Sequence, residues 1–164
     1  MPIIGAHSLE FISRSPGQTR RVGMRLGSLL QPGDLICLSG DLGAGKTTLV
    51  QGLAAGWGSP DAVTSPTFVL VNVYRRPAGG QLYHLDAYRL AGPTDAIDLD
   101  PDTMLANGPM VVEWAERVWG ALPDQHLRLE LHYVDEGQRD MVISARGPRY
   151  EALLAAFRKQ VYGN

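Results

Sequence analysis

Cysteine occurs once in this 164-residue chain, as Cys37. No internal disulfide can form, and a lone cysteine inside an apolar stretch reads as a small buried hydrophobe, compatible with a reducing compartment. Lysine is nearly as scarce: Lys46 and Lys159 stand against thirteen arginines. Long apolar runs are missing altogether, since none approaches the roughly 18 residues of a membrane span. Residues Met1 to His7 lack the basic region and apolar core of a leader. The expectation is a soluble cytoplasmic protein with no membrane contact. The formal charge is −2 and the pI about 6.0. That balance lacks the positive surplus of a broad nucleic-acid footprint, though it leaves room for a local basic patch. Internal repeats and low-complexity linkers are also absent. The length then predicts one domain over residues 1–164, large enough to bury a core.

One of the two lysines sits in the stretch around which the chain is organised. Leu35-Ile36-Cys37-Leu38 is an apolar run of strand length, bounded by Gly33-Asp34 and Ser39-Gly40. Gly40 to Thr47 then fits G-x-x-x-x-G-K-[ST], the phosphate-binding loop. Leu49, Val50, Leu53 and Ala54 follow as a helical stripe. A phosphate chain needs several donors converging on one concave point. Gly40, Gly43 and Gly45 let the backbone take positive φ and approach an anion with no Cβ in the way. The helix after them aims its N-terminal N–H groups and positive dipole end at that anion. Within Asp41, Leu42, Gly43, Ala44, Gly45, Lys46, Thr47 and Thr48, Lys46 offers a compact charge to the β/γ-phosphates. Thr47 offers a hydroxyl to Mg²⁺. An arginine's broad planar fork would fit that cradle poorly. The cofactors implied are ATP or ADP with Mg²⁺.

Turnover also needs a carboxylate on the metal side and a group that orients the nucleophile. Glu113 ends Met110-Val111-Val112-Glu113, an apolar run that must be buried. Asp86 lies in His84-Leu85-Asp86-Ala87-Tyr88, where period two puts His84, Asp86 and Tyr88 on one face and Tyr83, Leu85 and Ala87 on the other. Spacing alone does not decide which carboxylate holds Mg²⁺ and which positions water. Each also has a plainer explanation: Asp86 as a solvated residue on a half-exposed strand, Glu113 as the cap of the helical turn after it. Trp57, Trp114 and Trp119 read as packing rather than base stacking, and His84 as a structural hydrogen-bonding histidine. No metal-ligand spacing joins His7, His126 and His132.

Elsewhere the pattern predicts a short edge strand over residues 8–14. A helix over 18–30 follows, with Ser15 as N-cap and Pro16 at its first position. A hairpin is expected from residues 68–74 and 82–88, then broken helix over 95–105 and a helical turn or two over 115–122. A second hairpin pairs 127–134 with 141–145, and a last helix covers 149–161. This predicts an α/β sandwich of the P-loop NTPase kind. Its mixed sheet has parallel core strands beside the loop, added antiparallel hairpins and flanking helices.

Taken in order, Thr19-Arg20-Arg21-Val22-Gly23, Gly40 to Thr48, Ser65-Pro66-Thr67-Phe68, His84 to Arg89 and Val112-Glu113-Trp114 resemble the bacterial TsaE family. The resemblance covers most of the chain. It implies an ATPase subunit of the tRNA N6-threonylcarbamoyladenosine modification complex, working with TsaD-like and TsaB-like proteins and meeting tRNA through them. It implies weak hydrolysis alone and support for repeated turnover of the transferase. Carried over, Lys46 contacts the β/γ-phosphates, Thr47 and Glu113 form the magnesium side, and Asp86 orients water or acts as base. Ser65 to Phe68 becomes a switch-like loop, and Thr19 lies near the nucleotide base. Adenine contacts in the C-terminal part point only loosely to the neighbourhood of Arg146. The alternative is a small-molecule P-loop kinase, disfavoured by a short chain with no arginine-bearing lid. A GTPase is disfavoured by the lack of an Asn-Lys-x-Asp stretch.

Overall fold

The computed structural model describes residues 7–41, 45–64 and 71–163. Leu42, Gly43 and Ala44 of the phosphate loop, and the switch-like Ser65 to Phe68, lie outside the described residues.

Among the described residues, seven strands form one mixed sheet. They are β1 (Ser8–Ser13), β2 (Leu35–Gly40), β3 (Val71–Arg75), β4 (Gln81–Asp86), β5 (Met110–Glu113), β6 (His126–Tyr133) and β7 (Arg139–Arg146). Their spatial order is β1-β7-β6-β2-β5-β4-β3. The inner four strands, β6, β2, β5 and β4, are parallel. β3 adds antiparallel to β4, β7 to β6 and β1 to β7. Both predicted hairpins form, and the parallel core lies beside the phosphate loop as the pattern predicts.

The apolar runs are long because both sheet faces are covered. Alternation divides them into two cores. Ile36, Leu38, Val111, Leu127, Leu129 and Ile143 face one layer. Leu35, Cys37, Leu85, Met110 and Val112 face the other. Cys37 is buried there, and loss of solvation pushes its thiol up to about 12. It is the inert core residue that its position suggested.

The first layer is built from α1 (Pro16–Gly27), α2 (Lys46–Trp57) and α5 (Pro148–Tyr162). Ser15 caps α1 by accepting from Gln18 N at 3.1 Å, with Pro16 at the first turn. The helix stops at Gly27 rather than Leu30; turn bonds carry the chain through Leu30. α1 lies directly on α2, backbone against backbone. A Cβ on Gly27 would come 2.1 Å from Leu53 O, and one on Gly52 2.1 Å from Arg20 O. Thr19, Gly23 and Gly27 recur every four residues, as do Thr48, Gly52 and Gly56, so each helix turns one small-residue stripe to the other.

The second layer is made of α3 (Pro93–Ile97), α4 (Pro101–Asn107) and two 3₁₀ turns over Ala115–Arg117 and Trp119–Ala121. The broken helix expected over 95–105 is thus two helices. The break falls at Asp100, which has φ 56° and caps α4. Among the described residues, no helix is long and apolar enough to cross a membrane.

Candidate functional site

The parallel strands bring their C-terminal ends to one edge of the sheet. In open α/β sheets this is where ligands bind, because loops and helix N-termini converge there. The register is in phase: Leu38 of β2 and Asp86 of β4 both pair with Glu113 of β5. Two strand-end carboxylates therefore lie side by side, next to the strand that feeds the glycine loop. Sequence spacing alone could not supply that adjacency.

Gly40 closes β2 with φ 134°, and a Cβ there would sit 1.9 Å from Leu131 O. Its glycine is thus required by the neighbouring strand β6. Gly45, at φ 96°, has open space around its missing Cβ and delivers the chain into α2. The N-cap of α2 is Gly45, which has no side chain to cap the helix, and the positive dipole end of the helix begins there. Asp41 is exposed, and its Oδ2 accepts from Tyr133 N at 3.3 Å. Thr47 and Thr48 are half-buried in that first turn.

Lys46 is buried for a lysine, at 7% exposure. Its Nζ donates to Gly40 O at 3.0 Å and lies 3.9 Å from the centre of the Trp114 ring. Burial pulls the ammonium's pKa down, while Glu113, then Glu116, Asp86 and Asp41, oppose that. Trp114 reaches this place because its backbone is left-handed, at φ 58°. The strand accordingly ends at Glu113. The Trp114 ring also meets Tyr88 at 5.1 Å, and the Arg117 guanidinium lies 5.2 Å from Tyr88. Trp57 and Trp119 are held elsewhere, by Arg76 and His126.

Asp86 is not on a solvated sheet face. It is half-buried, and Oδ1 accepts from Tyr88 N at 2.9 Å. Burial raises its pKa, with Glu113 adding to the effect, against the Tyr88 bond and the neighbouring His84 and Lys46. His84, two residues earlier on the same face, is fully buried and bonds to Glu113. Glu113 itself is 4% exposed, too buried to be only a surface cap. Tyr83, Leu85 and Ala87 pack in the other core, as alternation predicts.

A cleft beside the loop is lined by Thr19, Gly45, Thr48, Glu136, Gly137 and Arg139. Thr19 is brought there by the glycine contact between α1 and α2. Its hydroxyl shares a 2.6 Å hydrogen bond with Ser13. Arg139 stands at the β7 end of the second hairpin and pairs with Tyr133. Arg146 pairs with His126 at the opposite end of the hairpin, whereas Arg139 is among the residues that line the cleft. The missed signal was register. Because β6 runs parallel to β2, its C-terminal end and the turn after it must return to the loop's edge.

The oxygen donors of Thr47 and Glu113 suit a hard cation such as Mg²⁺. Among the described residues, no three His, Cys, Asp or Glu side chains gather into a metal cage. Mg²⁺ does not need one when phosphates and water complete its shell.

Comparison with known proteins gives one consistent result. Residues 13–141 match the family model described as "Threonylcarbamoyl adenosine biosynthesis protein TsaE". The tRNA threonylcarbamoyladenosine biosynthesis protein TsaE of Streptomyces coelicolor is 50% identical over 114 residues, 68% of this chain and 77% of that protein. Its namesake in Treponema pallidum is 40% identical over 137 residues, 83% of this chain and 100% of that protein. The crystal structure of YdiB from Bacillus subtilis superposes with a TM-score of 0.78, at 29% identity and over 98% of both chains.

Proposed function

Because the chain belongs to the TsaE family of threonylcarbamoyl adenosine biosynthesis proteins, we propose that it binds ATP with Mg²⁺ and hydrolyses it. In this reading it serves repeated turnover of a TsaD-like and TsaB-like transferase in the cytoplasm and meets tRNA only through that complex. The observation that carries the reading is the register of Asp86 and Glu113 across β4 and β5, on the face that holds Lys46.

In this reading the backbone donors of Asp41 to Thr48, those of Leu42, Gly43 and Ala44 among them, serve the phosphates. Lys46 leaves Gly40 O and the Trp114 ring to meet the β/γ-phosphates. Thr47 and Glu113 hold Mg²⁺, which when bound neutralises charge developing on the phosphates. Thr19, Gly45, Thr48 and Arg139 line the nucleoside side. Asp86 accepts a hydrogen bond from the attacking water and takes its proton as the oxygen joins the γ-phosphorus and the bond to ADP breaks. A raised pKa makes Asp86 a stronger base than an ordinary surface carboxylate.

The test is phosphate release from ATP and Mg²⁺ by the protein alone, then with TsaD, TsaB and unmodified tRNA. Release is expected to be slow alone and faster with the partners. Asp86→Ala should abolish release and spare ATP binding; Lys46→Ala should impair both. Release indifferent to the partners would remove the subunit role. Phosphate found on an added metabolite instead of in solution would favour a kinase.

A further inference from the structure

Behind Glu113, on the same sheet face, a line of buried side chains runs back to the outer hairpin. His84 is 0% exposed, Tyr74 on β3 3% and Glu113 4%. His84 Nε2 lies 2.5 Å from Glu113 Oε2, and His84 Nδ1 lies 2.9 Å from the Tyr74 hydroxyl. Asn72 Nδ2 reaches the same hydroxyl at 3.5 Å and donates to Thr64 O at 3.2 Å. An ionised Glu113 has only acceptors, so Nε2 must carry the proton it donates. A neutral imidazole then has one acceptor left, Nδ1, which takes the Tyr74 O–H. Donors and acceptors match along the whole line.

A buried carboxylate at the end of an apolar strand is costly unless it is hydrogen-bonded. Two further buried polar groups are spent to satisfy one of its oxygens. A core needing only packing would fill that space with apolar atoms. Among the described residues the Glu113 carboxylate is tied to the protein interior through Oε2 alone, which leaves Oε1 for another partner. Lys46, at the head of α2, has its Nζ 3.9 Å from the ring centre of Trp114, the residue after Glu113, so the phosphate side is close. Carboxylates and imidazoles behind a metal ligand fix its orientation in just this manner.

We propose that His84, backed by Tyr74, is a positioning residue that holds the Glu113 carboxylate in the orientation Mg²⁺ requires, and that through Tyr74 it ties β3 to the metal side of the site. The inference rests on the reading of Glu113 as the magnesium carboxylate. It assigns His84 no contact with nucleotide and no part in proton transfer.

Calorimetric binding of a non-hydrolysable ATP analogue, across a magnesium titration and in EDTA, tests this on the whole protein. His84→Leu should raise the magnesium concentration for half-maximal tightening by about 10- to 100-fold while leaving binding in EDTA within about twofold of the parent. His84→Gln, whose amide nitrogen can still donate to Glu113, should recover most of that loss. Tyr74→Phe should shift the magnesium response in the same direction by less. An unchanged response in His84→Leu, or equal weakening with and without magnesium, would overturn the inference. If His84→Leu shows no cooperative melt, Tyr74→Phe and His84→Gln decide: two unshifted responses overturn it, and the graded shift supports it. A response lost in Glu113→Gln but kept in the His84 and Tyr74 variants would sink this inference alone. A parent protein indifferent to magnesium would sink the reading of Glu113 with it.

Discussion

The two layers over the sheet are built on different physical terms. On the face of α1, α2 and α5, long helices meet with their backbones touching. Gly27 and Gly52 have no room for a methyl group. On the other face, helices of five and seven residues are followed by two 3₁₀ turns. Side chains such as Leu105, Val118 and Leu122 hold that face to the sheet. Charge follows the same division. α1 carries Arg20, Arg21 and Arg25 with no acid, whereas residues 90–117 carry four aspartates and two glutamates against one arginine, Arg117. The difference teaches where precision is needed. The interlocked layer places Thr19, Lys46 and Thr48 relative to one another, and short helices cannot register groups that tightly. The other layer contributes Trp114 from a left-handed turn, as a cover on the Lys46 side.

The contrast can be broken most forcibly at the glycine contact. Gly27→Val would drive a branched side chain into the Leu53 carbonyl. Separating α1 from α2 should cost more than about 3 kcal/mol, visible as loss of a cooperative thermal transition. Next is the tie between α5 and the sheet. Arg149 Nε and Nη2 donate to the two oxygens of Asp34 at 2.9 and 2.8 Å, and Asp34 is 3% exposed. Arg149→Met leaves that carboxylate buried without its counter-charge, and chemical denaturation should show a loss of about 3 kcal/mol. On the second layer a single cap is worth less. Asp100→Ala removes the acceptor for Thr103 N and Oγ1 and places alanine at positive φ, which should cost about 1 kcal/mol.

The smallest effect sharpens the comparison by marking the edge both layers share. Burial holds the Asp86 carboxyl above its ordinary value, so protons bind the folded state more tightly than the unfolded one. The associated stability is complete below the ordinary carboxylate range and is lost as pH rises through the raised value. Without nucleotide and magnesium, Asp86→Asn should melt with the parent near about pH 3 and slightly above it near about pH 7. A gain at the lower pH instead would show that Asp86 is not strained by burial.

Much of this was legible in the chain. The glycine loop, the strand before it and the helix after it form one contiguous pattern, and local backbone chemistry alone requires it. The helix starts at Ser15-Pro16, both hairpins and the carboxylates of Asp86 and Glu113 are equally local signals. Other features depend on which strands become neighbours. Arg139 belongs to the cleft because β6 runs parallel to β2. His84 touches Glu113 because β4 lies beside β5. Trp114 covers Lys46 because one residue turns left-handed.

By itself, then, the sequence determined the element pattern, the glycine-loop motif of residues 40–48 and the resemblance to a family. These rest on interactions within a few residues, where spacing dictates geometry. Only the tertiary structure decided which strand ends share an edge, which glycines serve helix contact rather than the phosphate loop, and which buried groups stand behind Glu113. Those are long-range pairings. Many sheet orders satisfy the same local pattern, and packing both sheet faces at once selects this one.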